Sequence, residues 1–240
     1  MTSNKLPASA GFLSVLTNLP ANAPAPGEVL VVLAGFDVFP GIAVSDAETK
    51  HAESMGSLET KRRFLASRRL LRGVLSTWLM MSPEKIPVEI SKSGKPFLKD
   101  GKDLHFSIAH SGDLVMIAFA TASLGTDLEA ERPVDALALA RRFFSEEEVA
   151  LLEGPEGTER FFTLWSCREA AIKGDGRGMA TLLDSTKVLS GDAVPLRVMT
   201  GEVVWNVYPW KLEERYHAAL ALTEEPSLIN WCDLRQMIVS

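Results

Sequence analysis

Two long stretches of helical periodicity, residues 60–79 and 158–173, set the strongest limit on what this chain of 240 residues can become. In the first, Phe64, Leu71, Leu75 and Trp78 recur near helical spacing, and Pro83 bars continuation. The second is closed by Gly174, Gly176 and Gly178. Around them the apolar runs are short and read as strands: residues 29–33, 88–91, 104–108, 114–121, 124–129, 202–208 and 216–222. Residues 45–59 begin helical, and residues 134–143 form a further helix. Ser145 and Glu148 fit a capping box that opens a short helix to Leu152. The order is strand, helix, strands, then strand, helices, strands. That order predicts an α+β protein built as a pseudodimer of two similar halves, although no sequence repeat joins them. The expected divisions are a lead-in over residues 1–27, an N-terminal half over 28–123 and a C-terminal half over 124–240. The lead-in carries three prolines and a glycine between Pro20 and Gly27, which resist helix and sheet alike.

The chain is 46% hydrophobic, enough for a sizeable core and against global disorder. Its net charge of −6 argues against nucleic acid or an anionic membrane as partner, so any phosphate ligand must meet a local basic patch. The longest apolar runs, residues 29–34 and 114–120, are too short to span a bilayer, and the first residues lack the pattern of a signal peptide. Cys167 and Cys232 form no metal-ligand pattern and point to a reducing, cytoplasmic setting.

Asp127 and Glu129 stand two apart on an expected strand, so both carboxylates project to one face. Two such groups suit a hard cation, and magnesium takes one or two carboxylates plus water and phosphate oxygens. A solvated edge strand gives the same pattern. Glu131 would extend the row, but Arg132-Pro133 interrupts the strand. Trp165, Glu169 and Lys173 follow at i, i+4 and i+8 on the second helix and share a face. Trp165 can anchor that face, leaving Glu169 as a third carboxylate and Lys173 as an ammonium for a phosphate. An ordinary Glu–Lys pair on a wet helix has the same spacing. The basic patch is found at Lys61, Arg62, Arg63, Arg68, Arg69 and Arg72, where arginine forks match phosphate oxygens. Lys95 sits in a Gly-Lys-Pro turn. His110 and Ser111 open the turn His110-Ser111-Gly112-Asp113, which could offer imidazole and backbone N–H groups to a phosphate.

In order along the chain, Arg69-Leu-Leu-Arg-Gly73, Gly94-Lys-Pro96, Phe106-Ser-Ile-Ala-His-Ser-Gly112, Leu124-Gly-Thr-Asp-Leu-Glu129, Arg142-Phe-Phe-Ser145 and Trp165-Ser-Cys-Arg-Glu-Ala-Ala-Ile-Lys173 resemble the 4′-phosphopantetheinyl transferases, in the larger pseudodimeric type that acts on synthetase and synthase carrier domains. The matching motifs lie within residues 61–178. The resemblance implies coenzyme A in a cleft between two α+β halves. It implies magnesium held by Asp127, Glu129 and Glu169, and phosphates met by Lys173 and His110. The 3′-phosphoadenosine end would fall to Lys95 and Arg69 with Lys61 or Arg63. The partner implied is an acyl or peptidyl carrier protein whose serine attacks phosphorus, with Glu169 as base, and a pseudodimeric chain can work as a monomer. Two positions depart from the pattern: Arg168 stands where lysine is usual, and Ala109 where serine often precedes the histidine. The expected catalytic set is Glu169, Lys173 and Arg168, the last stabilising charge. The competing expectations are a coenzyme A-binding protein of the same fold with weakened catalysis, and an unrelated magnesium phosphohydrolase.

Overall fold

The computed structural model describes residues 19–37, 41–101, 103–190 and 194–235. The elements in order are β1 (Glu28–Gly35), α1 (Asp46–Glu53), α2 (Leu58–Leu79), β2 (Val88–Ile90), β3 (Pro96–Leu98), β4 (His105–Ser111), β5 (Leu114–Ala120), β6 (Leu124–Ala130), α3 (Ala136–Phe143), α4 (Glu146–Ala150), α5 (Gly157–Asp175), α6 (Met179–Leu182), β7 (Thr186–Ser190), β8 (Leu196–Thr200), β9 (Val203–Leu212), β10 (Tyr216–Leu222) and β11 (Leu228–Asp233). The first sheet runs β11-β1-β5-β4, the second β6-β10-β9-β8-β7, and β2 pairs with β3 alone. The α+β class expected from sequence is what the chain forms.

Four layers result, helix–sheet–sheet–helix. In β1, Leu30, Val32 and Ala34 face α2, where Leu71, Val74 and Leu75 meet them. The alternate residues Val29, Val31 and Leu33 face the second sheet and pack with Leu128, Trp210, Leu220 and Leu222. A strand buried on both faces must be apolar at every position, which accounts for the unbroken run in β1. Behind the second sheet, Cys167, Ala170 and Ala171 of α5 meet Val207, Ala219 and Ala221. Each fully buried Leu or Val of these layers contributes about 1.5–3 kcal/mol relative to exposure.

Helix starts follow the local sequence. Ser45 and Glu48 cap α1 reciprocally, and Ser145 and Glu148 do the same for α4, as expected. Among the described residues no helix is long and apolar enough to cross a membrane.

Four features differ from the sequence expectation. The strands β3, β7, β8 and β11 fall outside the expected set. β11 pairs in parallel with β1, Leu228 opposite Glu28, so the end of the expected C-terminal half completes the sheet of the N-terminal half. Of the expected lead-in, residues 1–18 lie outside the described residues; Leu19 is buried in the α2 core and Pro20 accepts a hydrogen bond from the Trp78 indole at 2.9 Å. His110 and Ser111 stand inside β4, paired with Val115 and Leu114, because the connection to β5 needs only Gly112 and Asp113.

Candidate active site

The site forms where α5 crosses β6. Asp127 lies opposite Ala219 of β10, and Ala219 packs toward α5. Strand alternation therefore sends Gly125, Asp127 and Glu129 to the helix side of the sheet. Gly125 lets the helix come close: a Cβ there would lie 2.0 Å from the Ala170 carbonyl and 2.2 Å from the Gly174 nitrogen. Helix α5 thus rests directly on the strand, with Glu169 and Lys173 over its acidic face.

One oxygen from each of Asp127, Glu129 and Glu169 lies within 4.8 Å of the others. The Lys173 ammonium donates to Asp127 Oδ1 at 2.5 Å and stands 3.9 Å from Glu169 Oε2. Arg132 donates to Glu129 Oε2 at 2.7 Å. Asp127 Oδ2 is buried and has no hydrogen-bond partner among the described residues. Burial raises the Glu169 carboxyl to about 8, with the negative charge of Asp127 adding to it. Burial and then Asp127 also raise Glu129. Lys173 is pulled down by burial, but Asp127 and Glu169 outweigh this and leave it above its ordinary value. Crowded acids that resist ionising, with one orphaned oxygen, fit a hard divalent cation that would offset their mutual repulsion.

His110 lies at the exposed end of β4. It is pushed below its usual range by local burial, then by Lys173 and Arg63, so it shares the field of the site. Ser111 serves the fold instead of presenting a free hydroxyl, since its Oγ accepts the Ala130 N–H at 2.9 Å. Next to the carboxylates a cleft of about 220 Å³ is lined by Lys95, Pro96, Ile108, Ile172, Lys173 and Met179. Lys95 donates to the carbonyls of Leu124 at 3.0 Å and Gly174 at 3.2 Å, and burial lowers it to about 8. It spans from the β2–β3 turn to the end of α5, and so ties the first half to the second.

The basic face of α2 divides. Arg62 meets Asp37 at 2.8 Å and Arg63 meets Glu59 at 2.8 Å. Arg72 turns inward, to Glu48 at 2.6 Å and to the carbonyls of Pro83 and Ile86. It is a brace of the fold, not part of a phosphate grip. Lys61 and Arg69 have no carboxylate partner among the described residues, and Arg69 Nε is buried without a hydrogen bond. Arg68 stands outside the expected ligand set, yet its buried Nε and Nη1 also lack partners among the described residues. The cause is that Arg68 and Arg72, one turn apart, share a single carboxylate, Glu48: Arg72 binds it at 2.6 Å and Arg68 stands off at 3.8 Å, beyond hydrogen-bond reach.

The chain is similar to known proteins along most of its length. The family described as the 4′-phosphopantetheinyl transferase superfamily matches residues 123–221, and the N-terminal domain of 4′-phosphopantetheinyl transferases matches residues 42–122. The chain is 35% identical over 189 residues to the 4′-phosphopantetheinyl transferase psf-1 of Bacillus pumilus, covering 77% of this chain and 80% of that protein. The chain belongs to the 4′-phosphopantetheinyl transferases. It is also 31% identical to HetI of Nostoc sp., over 75% of this chain and 78% of that one. To Sfp of Bacillus subtilis it is 37% identical over 54% of this chain and 59% of that one.

Within this transferase, Arg168 is not at the carboxylates. Its guanidinium is about 1% exposed, holds both oxygens of Glu148 at 2.8 and 2.9 Å, and donates to the carbonyls of Phe143 and Leu183. The expected catalytic role is therefore corrected. Arg168 immediately precedes Glu169, and adjacent helical residues do not share a face. Trp165 anchors its face as expected, against Phe143, Phe144 and Phe161. Cys167 and Cys232 are free and buried, and burial pushes both thiols up.

Proposed function

We propose that the chain moves the 4′-phosphopantetheine arm of coenzyme A to a serine of an acyl or peptidyl carrier protein and releases 3′,5′-ADP. The observation that carries the reading is the close group of Asp127, Glu129 and Glu169 beside the Lys173 ammonium, at the mouth of a cleft between the halves. The three carboxylates would hold magnesium, which when bound neutralises pyrophosphate charge. Lys173 would exchange Asp127 for a phosphate oxygen, and His110, which feels the Lys173 charge, would join it. Lys95, Arg69, Lys61 and Arg63 would serve the nucleotide end. The carrier serine oxygen forms a bond to the phosphorus bearing the pantetheine, and the bond from that phosphorus to the 3′,5′-ADP oxygen breaks. Glu169, which faces the same group of carboxylates, would take the serine proton. Positioning and charge supply most of the rate.

The fully internal placement of Arg168 removes the main reason for expecting a weakened binder, since that departure does not touch the cleft. A site assembled within one chain fits a monomer, and two unpaired thiols fit a reducing cytoplasm. The test is mass spectrometry of apo carrier proteins after incubation with the protein, coenzyme A and magnesium. A gain of one phosphopantetheine on the serine is expected. Release of inorganic phosphate with no labelled carrier would replace the reading with a phosphohydrolase.

A further inference from the structure

Arg132 reads in the sequence only as the residue that, with Pro133, ends a strand. The structure gives it three anchors. Its Nη1 donates to Glu129 Oε2 at 2.7 Å and lies 3.4 Å from the Ala130 carbonyl. Its guanidinium lies over the ring of Phe162, 5.5 Å from the centroid. Phe162 is buried in α5, the helix that also carries Glu169 and Lys173. The backbone that launches the side chain is itself fixed. Glu131 N–H donates to the Arg215 carbonyl at 2.7 Å, and the Glu131 carboxylate holds His217 Nε2 at 2.8 Å. Pro133 confines Arg132 to extended backbone.

We propose that Arg132 is a positioning residue for the cation site, an inference that rests on the metal reading above. By binding Glu129 through Oε2 it leaves Oε1 for the cation. By lying on Phe162 it ties that carboxylate to the helix that supplies the third one. An ordinary surface ion pair contributes little. Here the Arg132 side chain is 56% exposed, but the acid side is only 15% exposed and the guanidinium also lies on an aromatic face. Hydrogen-bonded partners of metal ligands orient the ligands, and their loss costs metal affinity.

Manganese binding followed by electron paramagnetic resonance, and magnesium binding by calorimetry, test the inference. Both are done with coenzyme A present and no carrier, so that no turnover occurs. Arg132→Ala should weaken both ions about 10–100-fold. Arg132→Lys, which keeps the charge and part of the reach, should recover much of the loss. Unchanged or tighter binding by Arg132→Ala overturns the proposal. So does a large fall in melting temperature with no recovery by Arg132→Lys, which would assign the residue to the fold alone. Failure of the natural protein to bind either ion, with Asp127→Asn behaving identically, sinks the metal reading and the inference together.

Discussion

Replacing Arg168 by alanine should damage stability far more than chemistry. The guanidinium holds Glu148, whose side chain is about 1% exposed, through two bonds, and satisfies two carbonyls besides. Glu148 in turn caps α4 and accepts the Val188 N–H at 3.0 Å, so one pair joins α3, α4, α5 and β7. Breaking a buried pair from one side costs about 3–5 kcal/mol, because the remaining charge is stranded. At roughly 2–4 °C per kcal/mol for a chain of this size, the melting temperature should fall by about 6–20 °C. Arg168→Lys keeps the charge but cannot serve the carboxylate fork and both carbonyls, and should lose about 1–3 kcal/mol. Removing both side chains should cost less than the two single losses added together. Melting is followed by circular dichroism, and transfer to one carrier is measured well below the melting range. Turnover of the folded variants should stay within about tenfold, roughly 1.4 kcal/mol of barrier. A variant that melts normally and loses a hundredfold or more in turnover would refute the reasoning and return Arg168 to the chemistry.

Asp127→Asn and Glu169→Gln should each abolish labelling of the carrier while leaving circular dichroism unchanged; near-normal turnover at saturating magnesium would remove that residue from the ligand set. Lys95 titrates near 8, so its ammonium is present below that pH and lost above it. Preference for coenzyme A over dephospho-coenzyme A should therefore fall as pH rises through about 8 in the natural protein and hold steady in Lys95→Arg, as read by binding titration. Gly125→Ala forces a Cβ into the Ala170 carbonyl and the Gly174 backbone. It should cost about 1–3 kcal/mol by overpacking and weaken magnesium as α5 lifts from β6; unchanged melting and metal affinity would show that the helix has room to move.

The carboxylates are legible in the sequence because each depends only on local period. Two residues apart on a strand and four apart on a helix fix faces without knowledge of the rest of the fold. The same rule, applied one residue back, turns Arg168 away from Glu169, and the capping box at Ser145 gives Glu148 a local task at the start of α4. What makes Glu148 a partner of Arg168 as well is tertiary packing between helices twenty residues apart. The division of the α2 arginines is hidden for a like reason. Nothing in the spacing of Arg68, Arg69 and Arg72 says that Glu48 lies against the middle turns of the helix, beside Arg68 and Arg72. The strand β11 is hard to read because its sequence, Leu-Ile-Asn-Trp-Cys-Asp, is short and mixed. Its reason for being extended is β1, some two hundred residues earlier.

That last pairing has a consequence for how the protein is made. β1 ends at Gly35 and its parallel neighbour begins at Leu228. During synthesis at about 5–20 residues per second, the first sheet waits roughly 10–40 s for its outer strand. Once β5 (Leu114–Ala120) has been made, β1 has it on one side and keeps an open, apolar edge on the other until β11 arrives. Such an edge invites pairing with another nascent chain. The N-terminal layers can collapse early around α2, but the sheet they lean on is sealed only once β11 has left the ribosome, so release before that point should yield a sticky fragment and not a stable half.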